Sequence, residues 1–154
     1  MEVAELLPQD GVLSSLKAGS KKQALQELAA RAADITGLGE RQIFDVLLER
    51  ERLGTTGVGQ GIAIPHGKLR DLGRLYGIFA RLETPIDFDA IDDEPVDLIF
   101  LLLAPESAGA DHLKALARVS RLLRDQEFCH KLRGSVEADA LYALLTDASA
   151  SNGQ

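Results

Sequence analysis

"VDLIFLLL", residues 96–103, is apolar at every position but one. A strand with one wet face alternates polar and apolar residues, whereas a strand covered on both faces does not. The stretch is therefore read as the central strand of a sheet with helices packed on either side. Upstream, "RLYGIFARL" (74–82) reads as a second strand. The intervening "ETPIDFDAIDDEP", broken by Pro85 and Pro95, reads as a loop or irregular edge segment.

Helical patterns flank these strands. "GSKKQALQELAARAADITG" has Ser20 as N-cap, Gln23 to complete a capping box, apolar residues at 25, 28, 32 and 35, and Gly37 as the stop. "ERQIFDVLLERERLG" is a second helix ending at Gly54, with Ile43, Leu47 and Arg50 on one stripe, so an arginine lies beside an apolar face. "DHLKALARVSRLLRD" (111–125) is a third, with Asp111 as N-cap, His112 in the first turn, and His112, Leu116, Val119 and Leu123 in line. A shorter helical stretch follows at 126–133. "SVEADALYALLTD" (135–147) is the last helix, capped by Ser135 and anchored by Leu141, Leu144 and Leu145, and the tail at 148–154, "ASASNGQ", is expected to be disordered. Helices around a strongly apolar sheet imply an α/β sandwich, in one domain over residues 1–147.

Composition narrows the function. The chain has 154 residues, 45% hydrophobic and 27% charged, within the range of ordinary globular proteins. No apolar run approaches the roughly 18 residues that cross a bilayer. "MEVAELLPQDG" has no secretory pattern, and a single cysteine, Cys129, fits a reducing cytosol. A net charge of −7 opposes docking on nucleic acid or anionic lipid. Protein or small-molecule partners are favoured instead.

The segment with the most chemistry is "GVGQGIAIPHGK" (57–68). Its glycines permit positive φ and close backbone approach. Gly67-Lys68 is followed by Leu69 rather than Ser or Thr, and Gly61 falls one residue too early for G-x-G-x-x-G, so both nucleotide-binding readings are weak. "IAI" can be a short buried strand, and the chain is expected to leave the sheet near Pro65, which has no N–H to donate. Pro65 biases Ile64 to extended geometry while Gly67 leaves one flank of His66 open, holding the imidazole and exposing it together. Such a ring fits either a nucleophile toward phosphorus or a loop histidine bonded to backbone. Arg50 can supply a cationic fork or simply pair with Glu49 or Glu51, His112 can be a second donor or an ordinary helix-start residue, and Gln60 can orient His66 or a phosphoryl oxygen.

"RERLGTTGVGQGIAIPHGK" (50–68), "LETPIDFDAIDDEPVDLIFLLLAPE" (82–106) and "DHL" (111–113) resemble the phosphotransferase-system enzyme IIA family of the fructose/mannitol type, in its nitrogen-regulatory branch, IIA-Ntr. The resemblance spans about residues 3–147. It implies a mixed sheet flanked by helices on both faces, with His66 phosphorylated on Nε2 and Arg50 and His112 completing the site. It also implies a relay from phosphoenolpyruvate through an enzyme I and a phosphohistidine carrier of the HPr/NPr kind, and control of partners such as potassium-transport or sensor-kinase proteins. Sugar-specific members often carry glutamate where this chain has Gln60, which favours the nitrogen branch. A sugar-specific IIA that passes phosphate to a separate IIB, or a purely binding regulator, is the alternative.

Other residues read as structural. Asp87, Asp89, Asp92, Asp93 and Glu94 lack EF-hand spacing and read as a solvated loop, and the histidines at 66, 112 and 130 show no zinc-site spacing. No metal or cofactor is expected. Cys129 reads as packing, and replacement of Lys21 by alanine is expected to leave transfer near wild type.

Overall fold

The computed structural model describes residues 2–152. A short helix α1 (Val3–Leu6) and a 3-10 turn (Gln9–Gly11) lead into strand β1 (Val12–Leu16). Helices α2 (Lys21–Thr36) and α3 (Glu40–Arg52) follow, then β2 (Gly57–Gly59), β3 (Ile62–Ala63), β4 (His66–Leu69), β5 (Tyr76–Ile86) and β6 (Val96–Pro105). Helices α4 (Ala110–Arg124), α5 (Gln126–Arg133) and α6 (Ala138–Asn152) complete the chain. The sheet runs β1-β5-β6-β3-β2, with β4 also paired to β6. It is mixed: β1, β3 and β4 make parallel pairs, and β5 is antiparallel to β6.

Strand β6 is central, and its lack of alternation has a direct cause. Ile99, Leu101 and Leu103 pack with α2 and α3, while Leu98, Phe100 and Leu102 pack with α1, α4, α5 and α6. All six are fully buried. Both faces of the strand are therefore dry, and each face drives burial of its own layer of helices. The approach is close: a Cβ on Gly77 of β5 would lie 2.7 Å from Cε1 of Phe100.

Helix α2 starts as its sequence predicts. Ser20 Oγ accepts from Gln23 N at 3.1 Å, and Gln23 Oε1 accepts from Gly19 N at 2.8 Å, so the box closes one residue further out than usual. Gly37 ends the helix at φ +79°.

Several boundaries differ from expectation. The chain does not leave the sheet at Pro65, because its carbonyl still accepts from Leu102 N at 2.9 Å and β4 resumes alongside β6 with His66 opposite Leu102. Strand β5 continues to Ile86 through part of the expected loop. A register shift between Arg81 and Ile86 spares Pro85 from donating to the ladder. Gly109 rather than Asp111 holds the N-cap position of α4, and Ser135 Oγ donates back to Lys131 O at 3.1 Å while α6 begins only at Ala138. Helix α6 runs past Asp147 to Asn152, through residues without Gly or Pro to break it, and the rest of the expected disordered tail, 153–154, lies outside the described residues. Strand β1 and helix α1 are too short for periodicity to reveal.

Candidate functional site

Three side chains named from sequence meet at one cleft. Arg50 comes from the last turn of α3, His66 opens β4, and His112 is the third residue of α4. With Val46, Glu49, Leu53, Gly67 and Lys68 they line a cleft of about 310 Å³.

His66 is half-buried and oriented from both sides. Its Nδ1 lies 2.9 Å from Ile64 O. A carbonyl can only accept, so Nδ1 carries the proton and Nε2 presents its lone pair. That lone pair accepts from Arg50 Nε at 3.3 Å, while Arg50 Nη1 donates to Gly54 O at 2.9 Å. The carboxylates proposed as alternative partners of Arg50 are engaged elsewhere: Glu49 with Arg52, and Glu51 with Lys21. Among the described residues no carboxylate forms an ion pair with Arg50.

His112 is 6% exposed, its ring centroid 5.7 Å from that of His66 with the planes tilted by 54°. Its Nδ1 is buried with no hydrogen-bond partner. No acceptor within hydrogen-bond distance holds a proton on Nδ1. Both histidines are held below the ordinary imidazole pKa. For His66 burial is the main cause and the Arg50 charge adds to it, against the opposing effects of the Ile64 carbonyl and Glu51. For His112 burial leads, followed by His66 and Lys68. Neutral rings at pH 7 are the result, as a nitrogen nucleophile requires.

Gln60 is not brought to this cleft. Gln60 (φ +57°) and Gly61 (φ +81°) form the tip of the β2–β3 hairpin, where two successive positive φ values suit the strand twist. Gln60 N donates to Asp92 Oδ2, its carbonyl accepts from Arg133 Nη2, and its side-chain oxygen accepts from Gln126 Nε2 at 2.8 Å. The acidic loop thus anchors a hairpin. Among the described residues no group of three or more His, Cys, Asp or Glu is placed to hold a metal, and no helix is long and apolar enough to cross a membrane. Cys129 is buried in the core, its thiol pKa pushed up by burial.

Two contributors were missed from sequence because they are backbone atoms: the carbonyls of Ile64 and Gly54. Pro65 biases Ile64 to extended geometry, but nothing in the residue types marks its carbonyl as the partner of His66 Nδ1.

A family model described as the phosphoenolpyruvate-dependent sugar phosphotransferase system, EIIA 2, matches residues 5–148. The chain belongs to this family. Within the EIIA 2 family it is 61% identical over 145 residues to a nitrogen regulatory protein of Bradyrhizobium diazoefficiens, covering 94% of this chain and 95% of that one. It is 42% identical over 148 residues to the nitrogen regulatory protein of Escherichia coli K12, covering 96% and 91%. The crystal structure of IIA-Ntr from Neisseria meningitidis superposes with a TM-score of 0.89 at 35% identity, over 94% of this chain and 99% of that one. The resemblance to the nitrogen-regulatory branch of the EIIA 2 family, and the mixed sheet between two helical layers, are borne out.

Proposed function

We propose that His66 accepts a phosphoryl group on Nε2 from a phosphohistidine carrier of the HPr/NPr kind, in a cytoplasmic relay driven by phosphoenolpyruvate, and that its phosphorylation state governs binding to regulated proteins. The observation that carries this reading is the Nδ1–H bond to Ile64 O, which leaves the Nε2 lone pair as the nucleophile, met at rest only by Arg50 Nε among the described residues. In transfer, the Nε2 lone pair forms the new N–P bond while the donor's N–P bond breaks and its nitrogen keeps that pair. No proton has to move, because Nδ1–H stays on the Ile64 carbonyl. Arg50 releases Nε2 and turns its fork to the phosphoryl oxygens, and His112 donates from Nε2. Transfer of this kind is catalysed by positioning and charge stabilisation, which these three side chains can supply.

The phosphoryl group brings close to two negative charges into a cleft lined in part by exposed Leu53, which alters what can dock there. Potassium-transport and sensor-kinase proteins are the partner class this regulation suits.

The test is reconstitution with enzyme I, phosphoenolpyruvate and either a nitrogen-type or a sugar-type carrier. An acid-labile, base-stable adduct should form on wild type and vanish in His66→Ala, faster with the nitrogen-type carrier. Labelling that persists in His66→Ala refutes the assignment.

A further inference from the structure

Glu51 follows Arg50 on α3, is 8% exposed, and does not line the cleft. Buried carboxylates are strongly disfavoured unless paired and hydrogen-bonded. This one has three donors: Lys21 Nζ at 2.9 Å, Thr56 N at 3.0 Å, and the Thr56 hydroxyl in a short bond. Thr56 is itself 4% exposed.

The bonds continue from Thr56 to the reacting ring. Thr56 O accepts from Ile64 N at 3.0 Å, and the carbonyl of that same Ile64 receives the Nδ1–H of His66. The short segment between α3 and Thr56 also contains Gly54, whose carbonyl holds Arg50 Nη1. Fixing Thr56 therefore fixes both the acceptor that sets the His66 tautomer and the acceptor that aims the guanidinium.

We propose that Glu51, acting through Thr56, is the positioning residue of the phosphoryl-accepting site, holding His66 in the Nδ1–H tautomer and Arg50 against Nε2. This inference rests on the phosphorylation reading for its kinetic consequence, but its structural consequence is independent of it. Glu51 touches neither reacting nitrogen and acts through two backbone segments.

The experiment uses the full chain with Thr56→Val, Thr56→Ser and Glu51→Gln. The nitrogen-15 shifts of the His66 ring, read where the ring is neutral, report which nitrogen holds the proton. In wild type Nδ1 should carry it. Thr56→Val removes the hydroxyl donor at nearly constant volume and should spread the proton over both nitrogens. It should also slow transfer on the order of tenfold or more, as small misplacements of reacting groups do. The carrier concentration giving half-maximal rate should stay unchanged, and Thr56→Ser should restore tautomer and rate together. Glu51→Gln should act like Thr56→Val, and it carries the test if the valine variant does not fold. A folded Thr56→Val or Glu51→Gln with the wild-type tautomer overturns the proposal. So does a rate loss that merely follows the unfolded fraction. If wild type takes up no label, the phosphorylation reading fails, and the ring shifts alone decide the role of Thr56.

Discussion

Arg50 Nε and His66 Nε2 face each other at 3.3 Å across sixteen residues of chain, so the guanidinium covers the lone pair through which a phosphoryl group would bind. The same contact that aims the ring must open for it to react. Arg50→Ala should free the lone pair yet lower the transfer rate about a hundredfold, because the charge on the moving phosphoryl oxygens loses its donor. Arg50→Lys should recover only part of the loss, since an ammonium cannot bridge Gly54 O and a phosphoryl group as a fork does. Single-turnover labelling measures both. Proton titration of the His66 ring in Arg50→Ala should show its pKa raised, though still held down by burial, the larger cause.

The pH dependence follows from the depressed pKa values of His66 and His112. Both rings are neutral at pH 7 and stay neutral somewhat below the ordinary value of 6.5. The labelling rate should therefore be level through neutrality and decline only at pH below that value. Stability has the same sign: below 6.5 the unfolded chain binds protons that the folded chain refuses, so unfolding free energy falls as pH drops toward the folded pKa values. Urea midpoints between pH 7.5 and 5 should decrease, less so in His112→Phe.

Gly67 is fixed by contact. A Cβ there would come within 2.5 Å of Val46 Cγ1 on α3, and valine has little rotamer freedom in a helix. Gly67→Ala should destabilise the protein by about 1–3 kcal/mol and push away the helix that carries Arg50. Labelling should slow as well. Val46→Ala in the same chain should return a substantial part of both losses, measured by denaturant unfolding and transfer rate.

Two cations that look alike in sequence should behave differently. Arg41 pairs with Asp45 on the surface at 86% side-chain exposure, and Arg41→Ala should change stability by no more than about 0.5 kcal/mol and transfer not at all. Lys21, whose replacement is expected to leave transfer near wild type, matters instead for stability, because it meets buried Glu51 at 2.9 Å and lies over the ring of Phe88. Lys21→Ala should destabilise by about 1–3 kcal/mol in urea unfolding, leaving a buried carboxylate short of a partner.

Much of the fold was legible because its signals are local. Ser20 and Gln23 cap α2 within three residues of each other, and the unbroken apolar run of β6 reports two dry faces whatever strands lie beside it. Glycine, proline and histidine at 61, 65 and 66 marked the site segment for the same reason. Arg50 showed itself as a charge on the buried stripe of Ile43 and Leu47, and the family resemblance joined it to His66 and His112.

By itself, then, the sequence determined the sandwich, the central strand and the three side chains at the cleft, all through interactions between near neighbours or through a long familiar motif. Only tertiary structure decided that β4 rejoins the sheet after Pro65, that Gln60 turns away toward Gln126, and that Ile64 and Gly54 lend their carbonyls. It also decided that partly exposed Lys21 pairs with buried Glu51. Each of these depends on which distant segment supplies a donor, an acceptor or a covering side chain. Residue type records the need for a partner, and the packed chain alone settles which one meets it.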